Sequence, residues 1–201
     1  MLLSLYNKER LVEAGCDEAG RGCLAGSVYA AAVIFPPDYV NAELNDSKQL
    51  TAKRRYRLRQ VIERDALAWA LGVVTPSEID ELNILNASIL AMHRALDALT
   101  LRPEFVIVDG NRFKPYGQLP HQTIVKGDGK YLSIAAASIL AKTYRDDYMC
   151  QLHEAYPYYG WNHNAGYPTK EHRAGIATHG LTPYHRLSFA GLNEPQLPFT
   201  D

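Results

Sequence analysis

Gly15-Cys16-Asp17-Glu18-Ala19-Gly20-Arg21-Gly22 is the stretch on which the fold turns. Just before it, Leu11 to Cys16 is short and apolar, with Val12, Ala14 and Cys16 alternating. That pattern predicts a strand that brings Asp17 and Glu18 to its end. Neighbouring residues of a strand face opposite sides, so one site can use both acids only where the chain bends. Gly20 and Gly22 supply that freedom. A planar, permanently charged guanidinium between two glycines, whose N–H groups can approach a ligand closely, suits a polyanion or a ribose hydroxyl. Taken alone, the same residues also read as an ordinary charged surface turn.

Working outward, the device recurs. Phe105-Val106-Ile107-Val108 ends on Asp109-Gly110, and Val125-Lys126-Gly127 leads into Asp128-Gly129-Lys130. Ser27 to Phe35 is a second strand, stopped by Pro36-Pro37, and Leu67 to Thr75 a third, stopped by Pro76. Thr51 is an N-cap for a helix to about Asp65, with Leu58, Val61 and Ile62 as its apolar contacts. Leu85, Ile89, Met92, Leu96 and Leu99 form a helical stripe over Ile84 to Leu99, read as core. That helix is a crossover, so the strand Phe105 to Asp109 runs parallel to the first, with Asp17 and Asp109 at the same sheet edge. After a loop, Thr123 to Val125 is a fifth strand. The longest helix runs from Lys130 to about Tyr156, with Leu132, Ala135, Ala136, Ile139, Leu140 and Thr143 along one side. Asp128 falls at or just before its N-terminus, where it serves equally as a cap or as a metal ligand. Tyr156 to Tyr167 holds five aromatics and reads as a packed loop or as a platform for sugars and bases. Pro168-Thr169-Lys170-Glu171 opens a short helix ending near Gly180, and Pro183 begins a last structured segment to about Leu192.

Composition sets limits on function. A chain of 201 residues without repeats or low-complexity tracts is one domain by expectation, with a core at about 12–155, a helical segment at about 156–192 and a tail at 193–201. A net charge of −1 excludes a uniformly basic nucleic-acid binder and leaves room for a local basic face. Lys48 to Arg59 supplies one, with six basic residues and no acid. Its exposed side chains read as a solvated face, or as phosphate contacts where the substrate is a polyanion, chiefly at Lys48. Three cysteines with no C-x-x-C spacing indicate neither a disulfide framework nor a zinc ribbon, and fit a reducing compartment. No signal peptide or membrane span is read, so a cytoplasmic protein is expected.

The motifs together resemble one family. Asp17-Glu18-Ala19-Gly20-Arg21-Gly22, Asp46-Ser47-Lys48-Gln49-Leu50, Val108-Asp109-Gly110 and Lys126-Gly127-Asp128 are joined by Ala135-Ala136-Ala137-Ser138-Ile139 with Ala141-Lys142, Gly166-Tyr167-Pro168-Thr169 and His185-Arg186-Leu187-Ser188-Phe189. In this order, from about residue 12 to about residue 191, they resemble the type 2 ribonucleases H, in particular bacterial ribonuclease HII. The resemblance implies an α/β ribonuclease H-like fold, a five-stranded mixed sheet flanked by helices with a small helical C-terminal part. It also implies hydrolysis of the RNA strand of RNA–DNA hybrids and nicking at single ribonucleotides in duplex DNA, leaving a 3′-hydroxyl and a 5′-phosphate. Gly20, Arg21 and Gly22 would then sense the ribose 2′-hydroxyl and the neighbouring phosphate, and Tyr167 would stack on the following sugar.

Asp17, Glu18, Asp109 and Asp128 are a hard, all-oxygen donor set suited to Mg²⁺ or Mn²⁺ rather than zinc. Crowded carboxylates repel one another unless cations neutralise them. Two ions roughly 4 Å apart would activate a water on one side of a phosphate and stabilise the leaving oxygen on the other. Asp46 and Asp146 stay open as alternatives to Asp128. Among the histidines, His93, His121 and His153 read as surface or packing residues, while His172, His179 and His185 cluster loosely. Other nucleases of the superfamily are disfavoured by Gly20-Arg21-Gly22 with Tyr167. A catalytically silent binding module and a small-molecule phosphatase are the rival classes. The expected partners are RNA–DNA hybrid and ribonucleotide-bearing duplex DNA, bound by a monomer.

Overall fold

The first apolar run forms strand β1, Glu13–Ala19, with Asp17 and Glu18 among its last three residues, at the end the pattern predicts. The extension has a cause: β2, Val28–Ile34, pairs antiparallel with β1 as far as Ala19↔Tyr29, so ladder hydrogen bonds keep both acids extended. The computed structural model describes residues 2–7, 9, 11–45 and 47–190. Asp46, Leu192 and the 193–201 tail lie outside the described residues.

Helix α1, Ala52–Asp65, starts where expected, with the Thr51 hydroxyl accepting from Arg54 N at 3.3 Å. Strand β3, Ala68–Val74, returns antiparallel to β2. A helix that the sequence reading did not anticipate follows, α2, Pro76–Leu82. Pro76 ends the strand and also occupies the first helical turn, where a missing N–H costs nothing. Thr75 and Glu78 close a capping box, with Thr75 N donating to the Glu78 carboxylate at 2.8 Å. Helix α3, Ile84–Asp97, is followed by β4, Phe105–Asp109, and β5, His121–Ile124. Then come α4, Leu132–Ala155, the single turn α5, Trp161–Asn164, and α6, Lys170–His179. Residues 183–190 form turns rather than a further helix.

The sheet order is β3-β2-β1-β4-β5, with β1–β4 and β4–β5 parallel and the other pairs antiparallel. This is the mixed five-stranded sheet the pattern predicts. Helix α3 covers one face through Ala14, Cys16, Ala30, Ala32 and Val108. Helices α1 and α4 cover the other through Ala31, Val33, Leu58, Ile62 and Ala136. Ala30, Ala31 and Ala32 are wholly buried, and such small side chains let helices approach the sheet closely. The approach is tight enough that a Cβ at Gly15 would lie 2.5 Å from the Ser133 hydroxyl of α4.

Helix α4 departs from the one-sided pattern, since every residue from Leu132 to Ala141 is buried. A helix apolar all round is an interior helix. Its start is also tied down from outside, by Leu3 N to Lys130 O at 2.8 Å and Leu132 N to Leu3 O at 2.9 Å. Further along, Arg145 is 1% exposed and donates to the carbonyls of Ala25, Ser27 and Ala165. Arg186, also buried, donates to Gly26 O and Arg21 O. Two interior guanidiniums thus hold the connection between β1 and β2 against α4 and the C-terminal turns.

Candidate active site

The last ladder pair of β1 and β4 is Cys16↔Val108, so Asp17 and Asp109 are the next residues of two adjacent parallel strands and leave the same edge together. Ala14 and Cys16 pack on the α3 side, and alternation turns Asp17 to the α4 side. There it accepts from the Ser138 hydroxyl and from Glu18 N, the latter at 2.7 Å. Ser138 in turn lies 2.9 Å from the Ser47 hydroxyl. Glu18 faces the other way and meets Arg21 Nη1 at 3.2 Å. Asp109 accepts from Gly127 N at 2.7 Å, which pins the short Gly127–Gly129 turn to the same edge. Asp128 of that turn is buried, 3.9 Å from Lys48 Nζ. It does not cap α4, whose N-cap is Tyr131 with no side-chain bond, so of the two readings of Asp128 the cap is excluded.

Charge is crowded at this edge. Burial raises the Asp17 carboxyl well above its ordinary range, and the charges of Glu18 and Asp109 raise it further. Burial also raises Glu18, against the pull of Arg21. Among the described residues no three acids, histidines or cysteines already stand round one point at ligating distances. The acids share an edge and a field without having converged. Their chemistry, hard oxygen under mutual repulsion, fits a divalent cation of the Mg²⁺ type. Asp146 pairs with Lys142 at 2.5 Å and does not line the cleft.

The cleft beside the acids is walled by the Gly20-Arg21-Gly22 turn. Gly20 adopts φ +97° and lies against Arg145, while the Tyr167 ring sits over Gly22, 3.7 Å from where a Cβ would be. Tyr167 is 46% exposed and hydrogen-bonds Cys23. Sequence reasoning assigned no site role to Ser47, Arg55, Ser138, Lys142 or Arg145, which also line the cleft. Ser138 and Lys142 were visible as an i,i+4 pair on α4, a spacing that puts both on one face. Most of the basic helix looks elsewhere: Arg54 and Arg57 pair with Glu43, and Arg59 with Glu63 and Asp147. Arg55 alone of α1 lines the cleft, bonded to Ser47 O and Leu50 O. On the α3 side, Leu85, Ile89 and Met92, read as core, also wall a second small depression with Glu18, Arg21 and Asp109. The aromatic segment is chiefly a packed loop, with Trp161 and Tyr159 buried and only its end, Tyr167, at the cleft.

A family model described as ribonuclease HII matches residues 14–192. The chain belongs to the ribonuclease HII family. It is 71% identical over 198 residues to the ribonuclease HII of Phocaeicola vulgatus, a match covering 98% of each chain. It is 70% identical over 197 residues to that of Bacteroides thetaiotaomicron, again covering 98% of each. Among solved structures, the ribonuclease H2 of Pyrococcus horikoshii superposes with a TM-score of 0.75 at 26% identity, covering 89% of this chain and 93% of that one. As a ribonuclease HII family member the protein is a metal-dependent endoribonuclease that hydrolyses the RNA strand of RNA–DNA hybrids. Among the described residues, no helix is long and apolar enough to cross a membrane.

Proposed function

We propose that this ribonuclease HII family member also nicks duplex DNA on the 5′ side of a single embedded ribonucleotide, leaving a 3′-hydroxyl and a 5′-phosphate. The reading rests on one juxtaposition: Asp17 and Asp109 leave adjacent parallel strands beside a glycine-arginine-glycine turn that Tyr167 overhangs. Asp17, Glu18, Asp109 and Asp128 would hold two Mg²⁺ or Mn²⁺ ions, which would supply Lewis acidity to activate a water and to stabilise the leaving oxygen. The Gly20-Arg21-Gly22 backbone comes close enough to test for a 2′-hydroxyl, the group that separates RNA from DNA. Arg21 and Lys48 meet the phosphates, and Tyr167 stacks on the following sugar. Ser138 keeps the Asp17 carboxylate oriented by its hydrogen bond.

The same reading takes residues 12–155 as the catalytic core and the helical segment after it as the part that supports the turn, acting as a monomer in the reducing cytoplasm in the removal of misplaced ribonucleotides. The test is incubation of duplex DNA carrying one ribonucleotide with the protein and Mg²⁺ or Mn²⁺, with the nick mapped at nucleotide resolution. A cut 5′ of the ribonucleotide, lost in EDTA and absent on all-DNA duplex, is expected. Cleavage of long hybrids without any cut at the single ribonucleotide refutes the proposal.

A further inference from the structure

Behind Tyr167 lies a buried polar chain that the chemistry above does not use. His172 on α6 and His185 in the following turn are 0% and 2% exposed, with their Nε2 atoms 3.2 Å apart. The proton positions follow from the partners. His185 Nδ1 accepts from Thr182 N at 2.9 Å, so its proton sits on Nε2, facing His172. His172 Nε2 also receives the Trp161 indole N–H at 3.0 Å and is therefore an acceptor. That leaves the His172 proton on Nδ1, 2.9 Å from the carbonyl oxygen of Tyr167. Burial lowers the pKa of both rings, His185 to about 4, so both are neutral near pH 7.

The chain ends at the cleft. The Tyr167 carbonyl takes a second bond, from Thr169 N at 2.8 Å, and the preceding residue is fixed by Leu24 N to Gly166 O at 2.8 Å. Tyr167 is thus held between the turn it overhangs and His172, while its own ring stays 46% exposed. Through this bond the buried network reaches the backbone of a residue whose side chain lines the cleft.

We infer that His172, locked as the Nδ1–H tautomer by Trp161 and His185, is a positioning residue that sets the height of the Tyr167 ring over Gly22 and so contributes to discrimination between ribose and deoxyribose. The inference rests on the reading of Tyr167 as the sugar-stacking group. The experiment is a double-mutant cycle on the ribonucleotide-bearing duplex, with His172→Gln, His172→Asn, Tyr167→Ala and the double variants. His172→Gln keeps a group near Nε2 and loses the Nδ1 donor; kcat/KM is expected to fall about fivefold, the scale of one neutral hydrogen bond. His172→Asn places an amide N–H near the old Nδ1 and is expected to recover most of that loss. In the Tyr167→Ala background, His172→Gln should change nothing further. On the unaltered protein, long-range ¹⁵N–¹H correlation should report Nδ1–H at His172 and Nε2–H at His185.

Equal losses from His172→Gln in both backgrounds would mean a general structural role and overturn the inference, as would an Nε2–H tautomer at His172. Should His172→Gln fail to fold, Trp161→Phe takes its place in the cycle, because it removes one of the two donors that fix His172 Nε2 and keeps an aromatic ring. Tyr167→Ala with undiminished cleavage would refute the reading of the site, and this inference with it. A Tyr167→Ala defect combined with additivity refutes the inference alone.

Discussion

Replacing Gly20 with alanine tests how the Gly20-Arg21-Gly22 turn is built. At φ +97° a side chain is strained, and the new Cβ would fall 2.1 Å from Arg145 Nε and 2.7 Å from its Cδ. The strain costs about 1–2 kcal/mol. Arg145 cannot swing away freely, since it is buried and bonds three carbonyls, on Ala25, Ser27 and Ala165. Losing one such charged hydrogen bond costs about 1.5–3 kcal/mol. Gly20→Ala should therefore lower unfolding free energy by about 2.5–5 kcal/mol, a Tm drop on the order of 10 °C for a chain of this size. Gly22→Ala is the internal control: φ there is not positive, and the nearest atom to its Cβ is Tyr167 Cε1 at 3.7 Å, so its cost should stay below about 1 kcal/mol. Urea unfolding followed by circular dichroism measures both. A Gly20→Ala protein within about 1 kcal/mol of the parent, or a Gly22→Ala protein equally weakened, would refute the account of Arg145 as the fixed wall beneath the turn.

Asp17→Asn should abolish cleavage and raise the stability of the metal-free protein at neutral pH. The Asp17 carboxyl is raised in the fold, so its stabilising contribution is complete below the unfolded value of about 4 and is lost as pH climbs through the folded one; a parent and variant with parallel stability–pH curves would contradict this. His185 runs the other way. Its folded pKa of about 4 lies below the unfolded value, so stability present above about pH 6.5 should fall by about 3 kcal/mol on descent to pH 4, and His185→Gln should flatten that limb in a denaturant series. Mg²⁺ or Mn²⁺ at a hundredfold over Kd should stabilise the parent by about 2.7 kcal/mol and Asp17→Asn far less, read by thermal shift with EDTA as the reversal. Asp128→Asn should cost at least about a hundredfold in kcat, ~2.7 kcal/mol, whereas Asp146→Asn, which breaks a part-buried pair but leaves the cleft lysine Lys142 in place, should cost at most about fivefold; equal losses would return Asp146 to the site.

The strands, the main helices and the placing of Asp17 and Asp109 at one sheet edge were legible from alternation, Thr51 as a cap, and a crossover that sets two strands parallel. Helix α2 escaped because Pro76 is at once a strand stop and a helix start, although Thr75 and Glu78 spelled its capping box. Ser138, Lys142 and Arg145 gained no role in advance for a different reason. Which face of α4 meets the cleft depends on how the helix crosses the sheet, and α4 is buried all round its first ten residues, which erases the apolar stripe that would have oriented it. The sequence grouped His172 with His179 and His185 only loosely, and nothing in a 13-residue separation says which two rings will hydrogen-bond inside a core.

Arg186 reaches back 160 residues to Gly26. During synthesis at about 5–20 residues per second, that partner emerges on the order of ten seconds or more after the loop it must hold. The sheet with its acids can assemble on the ribosome while the Gly20-Arg21-Gly22 turn still lacks its clamp. Nascent chains would thus carry the sheet carboxylates before the turn beside them is fixed, so the edge that gathers charge forms ahead of the wall that bounds it.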